Sequence, residues 1–185
     1  MLNEDDGKYL LSIAKDAIET YLKENRIIDT PSDSPNHLKE ELGVFVTLNK
    51  YNDLRGCIGY PEPTYPLIDA VISSAISAAT RDPRFPEVDE RELDSLDYEI
   101  TVLSKPELIE VEKPIDYLDN IVIGEDGLIV ERGFYRGLLL PQVAPEHNMD
   151  KEEFLSHTCL KAGLRQDAWL DEDIKVYKFQ GQIFK

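Results

Sequence analysis

Cysteine is scarce in this chain. Cys57 and Cys159 lie in separate segments and neither belongs to a CxxC pair, so a disulfide framework is excluded and two free thiols in a reducing compartment are expected. Histidine is nearly as rare: His37, His147 and His157 stand at no zinc-type spacing with either cysteine, which argues against a dedicated metal site. No apolar run approaches the ~18–20 residues needed to cross a bilayer. The opening residues "MLNEDDGKYLL" are acidic where a secretory leader would be basic, so a cytoplasmic protein without a membrane partner is expected. Positive charge is short as well. Lys and Arg number 20 against 37 Asp and Glu, a net charge of −17 that repels phosphate backbones before contact. With no Lys/Arg cluster present, nucleic acid is ruled out as the expected partner. Nucleotide fingerprints are missing too, since "GEDG" at 124–127 reads as a turn, and no cofactor is expected.

What the chain does have is core material. Hydrophobic residues make up 42% against 31% charged, too apolar for a disordered chain, and 185 residues suit a single compact unit. Leu10, Ile13, Ala14, Ala17, Ile18, Tyr21 and Leu22 recur at helical spacing behind an acidic start, which predicts a first amphipathic helix. "GVFVTL" and "LRGCIGY" flank the polar turn "NKYND" and predict a hairpin. "PLIDAVISSAISAAT" is apolar or small around much of its circumference and predicts a buried helix. A proline-broken connector, "RDPRFPEVDERELDSL", leads to the alternating strand "YEITVLS". Three short apolar runs in "NIVIGEDGLIVERGFYRGLLLP" predict a meander. Asp150 and Gly163 bracket a helix over "DKEEFLSHTCLKAGL", and "IKVYKFQGQIF" adds strand material broken at Gly181. The order lacks a sustained βαβ alternation, so the expected class is α+β with largely antiparallel sheet.

"LRGCIGY" is the stretch that ordinary structure explains least. In an extended strand Arg55 and Cys57 share one face, about 6–7 Å apart, while Leu54 and Ile58 point the other way, into the core. A nearby cation favours the thiolate, the nucleophilic form. Gly56 and Gly59 clear side chains from around the pair, as at a bulge or where a ligand or another backbone comes close. The structural alternative is a buried thiol acting as a small hydrophobe and an arginine paired with one of many acids.

"LRGCIG" does not stand alone. Together with "FVTL", "DPRFP" at 82–86, "GLLLPQV" at 137–143, and "FLSHTCLKAGL" with Trp169 beyond it, the chain resembles the AMMECR domain family over nearly its whole length. The hexapeptide is that family's hallmark. Met149 stands where relatives often carry a tryptophan. The resemblance implies a two-lobed α+β fold. Its larger lobe, about 1–106 and 173–185, would hold a five-stranded antiparallel sheet from 44–48, 54–59, 98–104, 174–179 and 182–184. Its smaller lobe, about 107–172, would hold the three-stranded meander at 121–140. The "LRGCIG" face would look into a cleft between the lobes. The family brings no established reaction; a link with Memo-type and radical-SAM proteins, as pathway or complex partners, is implied only by association.

Further candidates surround this core motif. Arg81, Asp82 and Arg84 sit in a proline-stiffened loop, either as a cleft rim that grips a carboxylate or amide or as a loop closed by its own ion pairs. Glu99 lies mid-strand with Tyr98 and Ile100 on the opposite face, and beside Arg55 it would be an ion-pair partner before it would be a base. His157 and Cys159 share a helix but point apart, leaving Cys159 in the core. Two functions follow. One is a binding or adaptor domain whose site includes Leu54, Arg55, Gly56, Cys57, Ile58, Gly59, Asp82, Arg84 and Glu99 and which takes a protein or small-molecule partner. The other is an enzyme with Cys57 as thiolate nucleophile and Arg55 orienting or polarising a carbonyl or carboxylate. Without a convincing base, metal set or nucleotide fingerprint, the first is preferred.

Overall fold

A computed structural model describes residues 2–185 and divides them into two compact units, 2–103 with 182–185 and 104–181. Helices mix with a sheet system whose strand pairs are antiparallel.

In the first unit, α1 (Glu4–Glu24) begins with a reciprocal capping box, Asn3 accepting from the Asp6 N–H while the Asp6 carboxylate accepts from the Asn3 N–H. Leu10, Ile13, Ala14, Ala17 and Ile18 form its buried stripe. α2 (Leu67–Thr80) follows Pro66, whose extended backbone makes it the cap and leaves the helix to start one residue later. Its small residues Ala70, Ala75, Ala78 and Ala79 are buried with Leu67, Val71 and Ile72, so α2 lies close against α1 and against the hairpin of β1 (Val44–Lys50) and β2 (Asp53–Tyr60). β3 (Leu96–Leu103) pairs with β1, so β1 is the central member and β2 an edge. Val44, Val46, Leu48, Ile100 and Val102 turn inward to the helices; each such side chain, fully buried, contributes about 1.5–3 kcal/mol.

In the second unit, β5 (Asp126–Arg132) pairs with β6 (Tyr135–Leu139) and with β7 (Lys175–Phe184), whose other side takes the short β4 (Glu107–Leu108). A single-turn α3 (Val143–Glu146) precedes α4 (Lys151–Lys161), which Asp150 and Glu153 cap reciprocally. Phe154, Leu155 and Cys159 of α4 bury themselves with Trp169, Leu128, Val130 and Val176. Met149 packs at the margin of that core.

Three strand expectations need correction. Lys175–Phe184 form one unbroken strand, not two segments parted at Gly181. Most of it, up to Gly181, falls in the second unit, where residues 175–180 pair with β5 instead of standing only beside the first unit's strands. The first run of the anticipated meander, 121–123, is no strand. There Gly124 adopts φ +85°, and Asp126 ties the chain into a turn, its carboxylate accepting from the Val122 N–H at 2.9 Å and its own N–H donating back to the Val122 carbonyl. Local hydrogen bonds thus outcompete strand pairing at those residues.

Candidate functional site

The hallmark stretch occupies β2, and its register explains its chemistry. Leu48 of β1 faces Gly56, but the next residue, Asn49, faces Leu54, which leaves Arg55 as the extra residue of a β-bulge. A bulge breaks the two-residue alternation and re-aims side chains. Leu54, expected in the core, is instead 40% exposed, and Arg55 swings toward the 86–92 segment. Its guanidinium donates to the carbonyls of Pro86 at 2.8 Å and Glu87 at 3.2 Å, and grips the Glu92 carboxylate through Nε at 3.2 Å and an Nη at 2.9 Å. Lys50 reaches the same carboxylate at 2.7 Å, and the Asp89 N–H donates to it at 2.9 Å in a capping box. The Arg55 hydrogen bonds, opposed by burial, hold the Glu92 carboxyl at about 2. The ion-pair partner of Arg55 is therefore Glu92, a residue the sequence reading passed over, although "DERE" at 89–92 carries the D-x-x-E capping signature.

Glu99, the anticipated partner, is elsewhere. It bonds Lys185 at 2.8 Å and stands opposite Thr47, which in turn stands opposite Cys57. These three side chains form one cross-strand row; at the usual strand spacing Glu99 lies about 10 Å from Cys57. The Thr47 hydroxyl donates to the Cys57 Sγ at 3.2 Å. The thiol is half-buried.

Asp82 and Arg84 perform a backbone task. As the edge strand, β2 presents main-chain groups with no strand to receive them. Asp82 accepts the Cys57 N–H at 2.8 Å, and Arg84 donates to the Cys57 carbonyl at 3.3 Å. The two side chains are themselves bonded twice, at 2.7 and 2.9 Å, so the ion pair stands in for a missing strand. Asp82 is buried at 4% exposure, and Arg84, with the Cys57 N–H assisting against burial, holds its carboxyl well below the usual carboxylate range. Both Arg55 and the Asp82–Arg84 pair thus fasten the 82–92 loop to β2.

The glycines serve the same packing. A Cβ at Gly56 would sit 2.1 Å from the Ala78 carbonyl oxygen, so only glycine lets the α2 backbone approach β2 here. At Gly59 a Cβ would meet the Val44 carbonyl at 2.2 Å. Ile58 packs partly exposed at the margin of the core.

Beside the cross-strand row opens a recess of about 910 Å³, whose polar rim includes Thr47, Asn49, Asp97, Glu99 and Lys185. Asn49, Asp97 and Lys185 escaped the sequence reading because only the strand register and the path of β7 bring them to Thr47 and Glu99. Tyr98 also lines it, its phenol pushed up to about 12 by burial and by Glu19 and Asp94. His37, the histidine of this unit, is bonded to Asp6 at 2.7 Å and is absent from that lining. His157 is exposed while Cys159 is buried; burial pushes the Cys159 thiol up to about 11. Among the described residues no group of three or more His, Cys, Asp or Glu is placed to hold a metal ion, and no helix is long and apolar enough to cross a membrane.

Comparison with known proteins matches the AMMECR1 family model to residues 11–184. A protein of Methanothermobacter thermautotrophicus is 56% identical over 183 residues, covering 99% of this chain and 95% of the relative. Protein PH0010 of Pyrococcus horikoshii is 53% identical over 189 residues, covering all of this chain and 91% of its own. The crystal structure of PH0010, titled an uncharacterized protein, superposes with a TM-score of 0.85 over 98% of this chain and 92% of that one.

Proposed function

The chain belongs to the AMMECR1 family, and we propose that it acts as a binding or adaptor domain, holding a protein segment or small molecule against the polar sheet face of its first unit. One observation carries this reading. The Arg55 guanidinium is committed to two backbone carbonyls and to Glu92, so the arginine that a thiolate mechanism would place at the disposal of a substrate is spent on holding the loop. The recess beside Thr47 and Glu99, at about 910 Å³, falls within the range of ligand sites. Its rim presents carboxylates on Glu99 and Asp97, an amide on Asn49 and the ammonium of Lys185. A ligand that matches it carries a donor or cation for Asp97 and opposite charges that exchange into the Glu99–Lys185 pair, whose lysine is 74% exposed and so, unlike the mostly buried Arg55, gives up its partner at little cost. The family resemblance nominates Memo-type or radical-SAM proteins as the source of such a partner.

The test is an amide-resolved NMR titration with zwitterionic metabolites and short mixed-charge peptides. Saturable shifts at Thr47, Asn49 and Glu99 that disappear in Glu99→Gln are expected. Shifts confined to other parts of the chain would overturn the placement.

A second reading, Cys57 as nucleophile, draws on the half-exposed thiol and the Thr47 hydroxyl that donates to it. Iodoacetamide labelling of Cys57 across pH, followed by peptide mass spectrometry with Cys159 as buried control, separates the two. The binding reading expects the kinetics of an ordinary thiol. Rapid labelling at neutral pH that is lost in both Thr47→Val and Arg55→Lys would favour the enzyme instead.

A further inference from the structure

Seven of the chain's eight arginines, Arg26, Arg55, Arg84, Arg91, Arg132, Arg136 and Arg165, hold a carboxylate. Arg81 is the exception: among the described residues its guanidinium has neither an ion pair nor a hydrogen bond. In a protein of net charge −17, Arg81 thus stands apart from the chain's other arginines, and it borders a cavity. That cavity, about 280 Å³, is a groove with Ile72, Ile76 and Ser77 of α2 on one wall and Tyr21, Ile27 and Ile28 on the other. Positions 72, 73, 76 and 77 recur on one helix face, and Arg81 caps the helix at its end.

We propose that this groove binds a short aliphatic carboxylate, of about eight carbons, with its carboxylate on Arg81 and its chain along Ile76 and Ile72. Three features choose that occupant. The free guanidinium can take a carboxylate through two parallel hydrogen bonds. The wall between the two ends is largely aliphatic, Ile27, Ile28, Ile72 and Ile76, and the Ser73 hydroxyl within it is already bonded to the Tyr60 hydroxyl at 2.9 Å. The volume, at about 30 Å³ for each water-sized atom, holds roughly nine non-hydrogen atoms, too few for a folded partner's segment. Asp69 closes the far end, where its carboxylate accepts from the Thr30 hydroxyl. It lies about 18 Å along the helix from Arg81 at the usual rise and fixes the direction in which an anion can enter.

The experiment titrates the full chain with sodium octanoate by calorimetry and by amide NMR, with octanol and octylammonium as controls. Saturable one-to-one binding is expected, with shifts at Ile72, Ile76 and Ser77. Arg81→Gln removes an exposed, unbonded side chain, so it keeps the wild-type melting temperature while weakening octanoate about tenfold or more. Ser77→Leu, which fills the groove from its half-exposed side, abolishes binding. Octanol and octylammonium bind at least about tenfold more weakly than octanoate. No saturation with octanoate overturns the proposal, as does equal binding of octylammonium or an affinity unchanged in Arg81→Gln. A preference for a peptide ending in an apolar residue over octanoate would also overturn it, by making the groove a docking site for a protein terminus.

Discussion

If Arg55 serves the fold by gripping Glu92, then Glu92→Gln should cost stability in a manner that depends on pH. Glu92 is 18% exposed and Arg55 13%, so solvent screens their contact only in part. The carboxyl falls from its ordinary 4.5 to about 2 in the folded chain. At about 1.4 kcal/mol for each tenfold, this corresponds to ~3 kcal/mol of stability. Because the folded value is depressed, that contribution is complete above pH 4.5 and is lost as the pH drops through about 2. Urea unfolding of wild type and Glu92→Gln at pH 7, 5, 4 and 3 reads the difference directly, since every other carboxylate is common to both. The gap should be ~3 kcal/mol at pH 7, or ~10 °C in melting temperature for a chain of this size. It should shrink to about half by pH 3. A gap below ~1 kcal/mol at pH 7, or one that is the same at pH 3, would refute the claim that this ion pair holds the loop and would return Arg55 to the list of residues free to meet a ligand.

Three further outcomes follow from the same geometry. Asp82→Ala leaves the buried Cys57 N–H without its acceptor and should cost ~2–4 kcal/mol in urea unfolding; Arg84→Ala, which leaves the buried Asp82 carboxylate without its cation, should cost about as much, with a clear coupling in the double-mutant cycle. Gly56→Ala forces a methyl against the Ala78 carbonyl and should lose about 2–3 kcal/mol by the same assay, whereas a loss below ~0.5 kcal/mol would mean that α2 can move aside. Cys159, at about 11 and fully buried, should remain unlabelled by iodoacetamide at pH 8 in the native protein and react on unfolding; labelling of the folded chain would contradict its place in the core.

How much of this was legible beforehand depended on the range of the interactions. Helices α1, α2 and α4 were readable because their buried stripes repeat every three or four residues and their caps lie within three. The strands β1, β2 and β3 were readable from alternation. The run 121–123 was misread because its apolar residues suit a strand while Asp126, four residues on, binds its backbone into a turn. Leu54 was misplaced because alternation presumes a regular register, and the extra residue at Arg55 shifts everything before it. The same bulge hid Glu92 as the arginine's partner.

By itself, the sequence determined the local periodicities, the acidic surface, the absence of disulfide and zinc patterns, and the family to which the chain belongs. Only the tertiary structure decided what Arg55, Cys57, Asp82 and Glu99 do. Their partners lie 37 residues away for Arg55, 25 for Cys57 and Asp82, and 86 for Glu99. Which of many acids and cations meet is set by strand register, by a bulge and by an edge strand's unfilled hydrogen bonds, and these exist only after the sheet has formed.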